Sequence, residues 1–387
     1  VTAPLTVMLV AAEASGDALG ASLAQALRRR LGEGVRFIGV GGEKMAAQGV
    51  RSPFDIAELS ILGIFEGVKA YPRVLRRVRD AAALARRDRP DVAVLIDSWG
   101  FTLRVAGALR RLYPDLPLVK YVGPQVWATR PGRARVLANA VDHLLATQPM
   151  DAPFYAPHGL TVTFVGSAAL AKDFSKADPK RLRKAIDAAP GDQILLVLPG
   201  SRPAEIANVM PAFEEAVTLL KADRPALQIV VPVAATVAES VRGRVAGWPH
   251  RAHIIEHEQL KDDAFVAATV ALACSGTVTT ELALAGAPVV VGYRIGRITY
   301  AILKRLLRTP WITLFNIAAG RFVAPEFVQH ECTAENLAGA VAARLDDPGL
   351  RARQVAEQNA ALELMGRGRP DPSEAAAEAV LKVLGRA

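Results

Sequence analysis

Residues 195–206 read LLVLPGSRPAEI. The apolar run Leu195–Leu198 has the character of a strand buried on both faces, and a helical pattern extends from Ala204 to Leu220. Between them Gly200 permits a tight turn, and Arg202 stands where strand hands over to helix. The handover recurs in VALACSGTVTTELALAGAPVVVGYR (270–294), where a strand ends at Ser275-Gly276-Thr277 and a helix runs to Leu284. Outward from these stretches, strands are expected at 194–198, 228–233, 252–255, 270–274 and 289–291. An earlier set is expected at 5–10, 35–40, 92–96, 118–122, 143–146 and 162–165, with helices such as 18–31 and 103–112 between. Strands that alternate with helices specify parallel sheets covered on both faces. The pattern breaks at VGSAALAKDFSKADPKRLRK (165–184). The expected architecture is therefore α/β, with two doubly wound domains (1–168 and 169–345) and a cleft between them. A helical tail, 346–387, would pack back on the first domain or exchange with a partner chain.

A chain of 387 residues is long for one core, and 51% hydrophobic residues with 22% charged ones describe a globular protein. Cys274 and Cys332 cannot build a disulfide framework, and no C-x-x-C or H-E-x-x-H spacing suggests a held metal. VTAPLTVMLVAAEASGD (1–17) lacks the basic and long apolar regions of a signal peptide and reads as a first strand. No stretch reaches the length of a membrane span. The expected setting is cytoplasmic.

The formal charge of +9 favours anionic partners. Arg73, Arg76, Arg77, Arg79, Arg86 and Arg87 crowd one expected helix, directly after the apolar LSILGIFEGVKAYP (59–72). Without an aromatic RNP stretch or paired zinc ligands, that juxtaposition suits an anionic membrane surface better than a nucleic acid. IGRITYAILKRLLRTPW (295–311) is a second amphipathic, basic stretch.

Open parallel sheets bind ligands beyond the carboxyl ends of their strands. At the first handover, the amides after Arg202 and its guanidinium fork suit a diphosphate; alternatively, Ser201 only caps a helix beside a solvated Arg202. At the second, Glu281 lies one turn deep on the face of Thr277, placed for ribose hydroxyls or favoured there simply by the helix dipole. Neither is a Walker loop, and no G-x-G-x-x-G follows the first strand. In the first half, Glu13, Ser15 and Asp17 follow one strand and Asp97 ends another, as a general base or an Asx turn. YVGPQVWATRPGRARV (121–136) brings Gln125, Trp127 and Arg130 off the next strand; Trp127 either stacks on a sugar or fills the core.

Taken together, AEASGD, GVGGEKMAAQG, LGIFEGV, LID, YVGPQVWA, FYAPHGLTVTFVG, LPGSRPAEI, SGTVTTELALAGAPVVVGYR, LFNIAAGRFVAPEFVQ and TAENLA resemble, in order, the lipid-A-disaccharide synthase family. These are GT-B glycosyltransferases, built of two Rossmann-like domains. The resemblance implies an inverting transfer, without metal or cofactor, from UDP-2,3-diacylglucosamine to 2,3-diacylglucosamine 1-phosphate, forming a β-1,6 disaccharide and UDP. It makes Asp97 the base for the acceptor's 6-hydroxyl and Arg202 a diphosphate ligand, with Gly200, Ser201, Ser275, Gly276, Thr277, Glu281, Asn316 and Arg321 framing the UDP. Glu13, Ser15, Asp17, Gln125, Trp127 and Arg130 fall on the acceptor side. Leu62, Ile64, Phe65, Val68, Val74 and Leu75 would meet the inner face of the inner membrane, and the enzyme could form a homodimer.

The sequence departs from the family pattern at Gly100, at Ser167-Ala168 and at Gln125 and Thr129, all in or beside the acceptor half. Alternative readings are a paralogue with another lipid acceptor, a UDP-sugar 2-epimerase of the same fold, and a non-catalytic binding relative.

Overall fold

The computed structural model describes residues 4–59 and 64–386. Its contacts divide the chain into two units, Val1–Ala168 with Arg369–Ala387, and Ala169–Gly368. Each holds a six-stranded, wholly parallel sheet.

In the first unit the strands are β1 (Leu5–Val10), β2 (Val35–Val40), β3 (Val92–Ile96), β4 (Leu118–Tyr121), β5 (His143–Ala146) and β6 (Thr161–Phe164), in the order β2-β1-β3-β4-β5-β6. The second contains β7 (Ile194–Leu198), β8 (Gln228–Pro232), β9 (His253–Ile255), β10 (Val270–Cys274), β11 (Val289–Tyr293) and β12 (Glu326–Val328), in the order β12-β11-β10-β7-β8-β9. β1, β3, β7 and β10 are buried along their whole length, because helices cover both faces of each sheet. Both units are thus Rossmann-like, doubly wound layers. Strand order reverses between β1 and β3 in one sheet and between β7 and β10 in the other. At such a switch point neighbouring crossovers leave on opposite faces, so a crevice opens beyond the strand ends.

The tail expected as a third segment is split between the units. The Pro348–Leu364 helix belongs to the second, beside the Thr277–Leu284 and Leu314–Ala319 helices. The Pro372–Val383 helix lies in the first, against Ala14–Leu31, where Glu374 accepts from Arg29 (2.8 Å) and Arg30 (2.9 Å).

The basic Ile64–Asp88 helix corrects part of the expected membrane surface. Val74 is 9% exposed and joins the core with Phe54, Val78 and Phe101, while Leu75 is half-buried. Arg77 grips Glu58 through both carboxylate oxygens (2.8 and 2.6 Å) and covers the Phe54 ring at 4.8 Å. Arg76 and Arg79 face solvent. Ile64, Phe65 and Val68 lie on the same helix, and Leu62 falls outside the described residues. Among the described residues no helix is long and apolar enough to cross a membrane.

Candidate active site

The second sheet's switch point carries a cavity of about 380 Å³. Gly200, Ser201 and Arg202 line it from the end of β7, and Ser275, Gly276, Thr277 and Glu281 from the end of β10. Lys172, Lys261 and Phe265, which carry no motif in the sequence, also line it. Gly200 has φ 122°, and a Cβ there would sit 2.5 Å from Glu205 Oε2, so this position demands glycine twice over.

The buried Glu205 explains the arginine at the handover. Its Oε2 accepts from the amides of Ser201 (2.8 Å) and Arg202 (3.2 Å), while Oε1 takes Arg202 Nη1 at 2.9 Å. This narrows the expectation that amides following Arg202 meet a phosphate to the single amide of Ala204. Those of Ser201 and Arg202 are committed to Glu205, Pro203 has none, and Glu205 N donates to Arg202 O at 3.0 Å. The loop instead offers a guanidinium whose side chain is 77% exposed yet anchored at one nitrogen. Further backbone donors come from the other strand end: the amides of Thr277 and Val278 open the Thr277–Leu284 helix, with no carbonyl one turn back to occupy them.

Lys172 Nζ holds Glu281 Oε2 at 2.7 Å and Asp262 at 2.9 Å, and lies over the rings of Phe174 and Phe265 at 5.0 and 5.4 Å. Burial works against its charge, but the carboxylates more than compensate and hold its pKa above the ordinary value. Asn316 and Arg321 are not in the cavity wall. Asn316 is fully buried; its amide donates to Ala324 O (2.9 Å) and Glu326 Oε1 (2.8 Å) and accepts from Val323 N (2.8 Å) and Ala324 N (3.0 Å). Arg321 pairs with Glu357 at 2.9 Å.

In the first unit, Asp97 follows β3 at the switch point and is half-buried. Its backbone is left-handed (φ 47°), as are those of Ser98 (φ 40°) and of Val122 beyond β4 (φ 67°). Such conformations cost non-glycine residues energy, most of all a β-branched valine, and persist only where the surrounding structure holds them. Glu13 and Ser15 are exposed where the Ala14–Leu31 helix begins, at the end of β1.

Asp17 and Trp127 turn inward. Asp17 accepts the amides of Gly42 (2.7 Å), Lys44 (3.0 Å) and Met45 (3.0 Å), stapling the loop after β2. Trp127 is 6% exposed and donates its Nε1–H to buried Asp151 at 3.0 Å, so it fills the core. Gln125 and Arg130 are exposed, Gln125 closing a turn through its carbonyl to Ala128 and Thr129 (both 3.1 Å). At Gly100, exposed in the first turn after Asp97, an added Cβ would meet only Arg104 Nη1, at 3.9 Å.

Burial pushes Asp151 up to about 7, against the pull of its Trp127 and Gln148 hydrogen bonds. Between its unfolded and folded pKa values the native state binds more protons, so this group's contribution falls as pH rises from about 4 to 7. Asp151→Asn keeps an acceptor for Trp127 and has no charge to bury. At pH 8 its melting temperature should exceed that of the parent, and the gap should close by pH 4, as read by differential scanning fluorimetry.

Two Rossmann-like units, the second with a cavity at its switch point, define a GT-B fold, and the chain is a glycosyltransferase. It belongs to the lipid-A-disaccharide synthase family: the model described as "Lipid-A-disaccharide synthetase" matches residues 7–380. The lipid-A-disaccharide synthase of Rhodospirillum centenum is 41% identical over 381 residues, covering 98% of this chain and 95% of its own. Among solved structures, an S. aureus MnaA–UDP co-structure superposes with a TM-score of 0.63 at 14% identity (99% and 98% covered). The glycotransferase of kitacinnamycin does so with 0.63 at 18% (98% and 99% covered).

Proposed function

We propose that the chain joins UDP-2,3-diacylglucosamine to the 6-hydroxyl of 2,3-diacylglucosamine 1-phosphate, with inversion, giving the β-1,6-linked disaccharide 1-phosphate and UDP. The observation that carries the reading is the cavity of about 380 Å³ at the β7/β10 switch point, where Arg202 and the amide-bearing helix start at Thr277 flank one space. That combination suits a diphosphate, and Glu281, held by Lys172 through one oxygen, keeps the other for ribose hydroxyls.

In the transfer, Asp97 takes the proton of the 6-hydroxyl as its oxygen bonds to the donor's anomeric carbon. The bond from that carbon to the diphosphate oxygen breaks on the opposite side, and the electron pair leaves with UDP. Negative charge grows on the diphosphate, where Arg202 and the positive end of the Thr277–Leu284 helix meet it. The exposed cations Arg76 and Arg79 support a cytoplasmic enzyme lying on the inner face of the inner membrane, where its acylated substrates reside.

The experiment supplies both lipid substrates in mild detergent and follows the product by mass spectrometry. Arg202→Ala should lower kcat/KM by about 10²-fold or more, as expected for loss of a preorganised charge at the leaving group. Wild-type protein that binds UDP but forms no disaccharide would sink the acceptor assignment.

A further inference from the structure

Lys120 is buried on β4 at 3% exposure, and sequence reasoning passed over it as part of a strand. Its ammonium donates to the backbone carbonyl of Asp97 and to Thr102 Oγ1 (2.8 Å). The Thr102 hydroxyl in turn lies 2.8 Å from Asp97 O and 2.9 Å from Ser98 O. On the other side of the peptide, Asp97 N donates to Tyr121 O at 2.8 Å. Both backbone polar groups of Asp97 are therefore held from β4, and this grip falls on a residue forced into a left-handed conformation.

A buried lysine bonded to neutral groups is a costly way to pin a loop; a packed apolar side chain would be cheaper for stability alone. Burial pushes Lys120 down to about 7 against the opposing pull of Asp97 and Glu13. Its neighbours from the Trp99–Leu112 helix (Trp99, Thr102, Leu103 and Ala106) carry no charge. The lysine's ionic interactions are thus with Asp97 and Glu13 at the two strand ends that form the switch point.

We propose that Lys120 is a positioning residue for glycosyl transfer, locking through the Asp97 carbonyl the left-handed turn that presents the Asp97 carboxylate. The proposal rests on the reading of Asp97 as the base. Lys120 touches no reacting atom; it fixes the peptide from which the base projects. Displacement of a base by an ångström is enough to cost about 10²-fold in rate.

The test measures kcat, KM for the UDP-sugar and the melting temperature for Lys120→Met, Lys120→Gln and Asp97→Asn, with the whole chain in mild detergent. Lys120→Met should fold with an unchanged or higher melting temperature and lose about 10²-fold in kcat at constant donor KM. Lys120→Gln retains a donor and should recover part of kcat. A folded Lys120→Met of normal kcat, beside an inactive Asp97→Asn, overturns the positioning role and leaves the base assignment standing. An Asp97→Asn as active as the parent overturns both. If Lys120→Met does not fold, Lys120→Gln decides: an unreduced kcat, or a loss of donor binding in step with kcat, overturns the proposal.

Discussion

Asp97→Asn should lower kcat for disaccharide formation by about 10²–10⁴-fold, the range a positioned general base supplies, and leave UDP affinity unchanged. The substitution is nearly isosteric, and the hydrogen bonds that hold Asp97 in place run through its backbone: its amide to Tyr121 O, its carbonyl to Lys120 and Thr102. The amide side chain can occupy the same space but cannot accept a proton from the acceptor hydroxyl. Initial rates by mass spectrometry and UDP titration by calorimetry separate chemistry from donor binding. Should the variant retain more than about a tenth of the activity, the base lies elsewhere. Glu13, exposed at the end of the neighbouring β1, is then the residue to replace. Loss of UDP affinity along with kcat would instead indicate that the Asp97 turn supports the donor site.

The central strands were legible because burial on both faces writes them as unbroken apolar runs; β1, β3, β7 and β10 match their expected bounds. β12 was not, since it has three residues and begins with the buried, charged Glu326, which no hydropathy pattern marks as strand. The donor cavity was legible where the strand-to-helix transition itself places residues, as at Gly200–Arg202 and Ser275–Thr277. It failed where a polar side chain's partner is distant in sequence. Asp17 reads as an open carboxylate until the loop at Gly42–Met45 folds onto it, and Trp127 as a sugar platform until Asp151 receives its N–H. Lys120 and Lys172 carried no local signal at all, because each acquires its meaning from a neighbouring element.

Asn316 shows the same ambiguity in a form that an experiment can resolve. Resemblance to the family places it around the UDP, whereas its side chain is spent inside the protein, tying the Leu314–Ala319 helix to Val323, Ala324 and Glu326. Glu326 in turn accepts the amides of Ile312 and Thr313 at 2.8 Å each, and Ser275 Oγ reaches Ile312 O at 3.2 Å. Asn316→Leu would leave the Val323 and Ala324 amides without their acceptor and remove a donor from buried Glu326. Stranding these groups should destabilise the second unit by about 3–5 kcal/mol, read as a lower urea midpoint with hydrogen exchange faster around 312–326. UDP affinity of the remaining folded protein should fall far less than in Arg202→Ala, because Asn316 acts on the cavity only through Glu326, Ile312 and Ser275. An unchanged midpoint with lost UDP affinity would require the amide to leave its buried partners and meet the nucleotide directly. The two outcomes distinguish a ligand contact from the support beneath one.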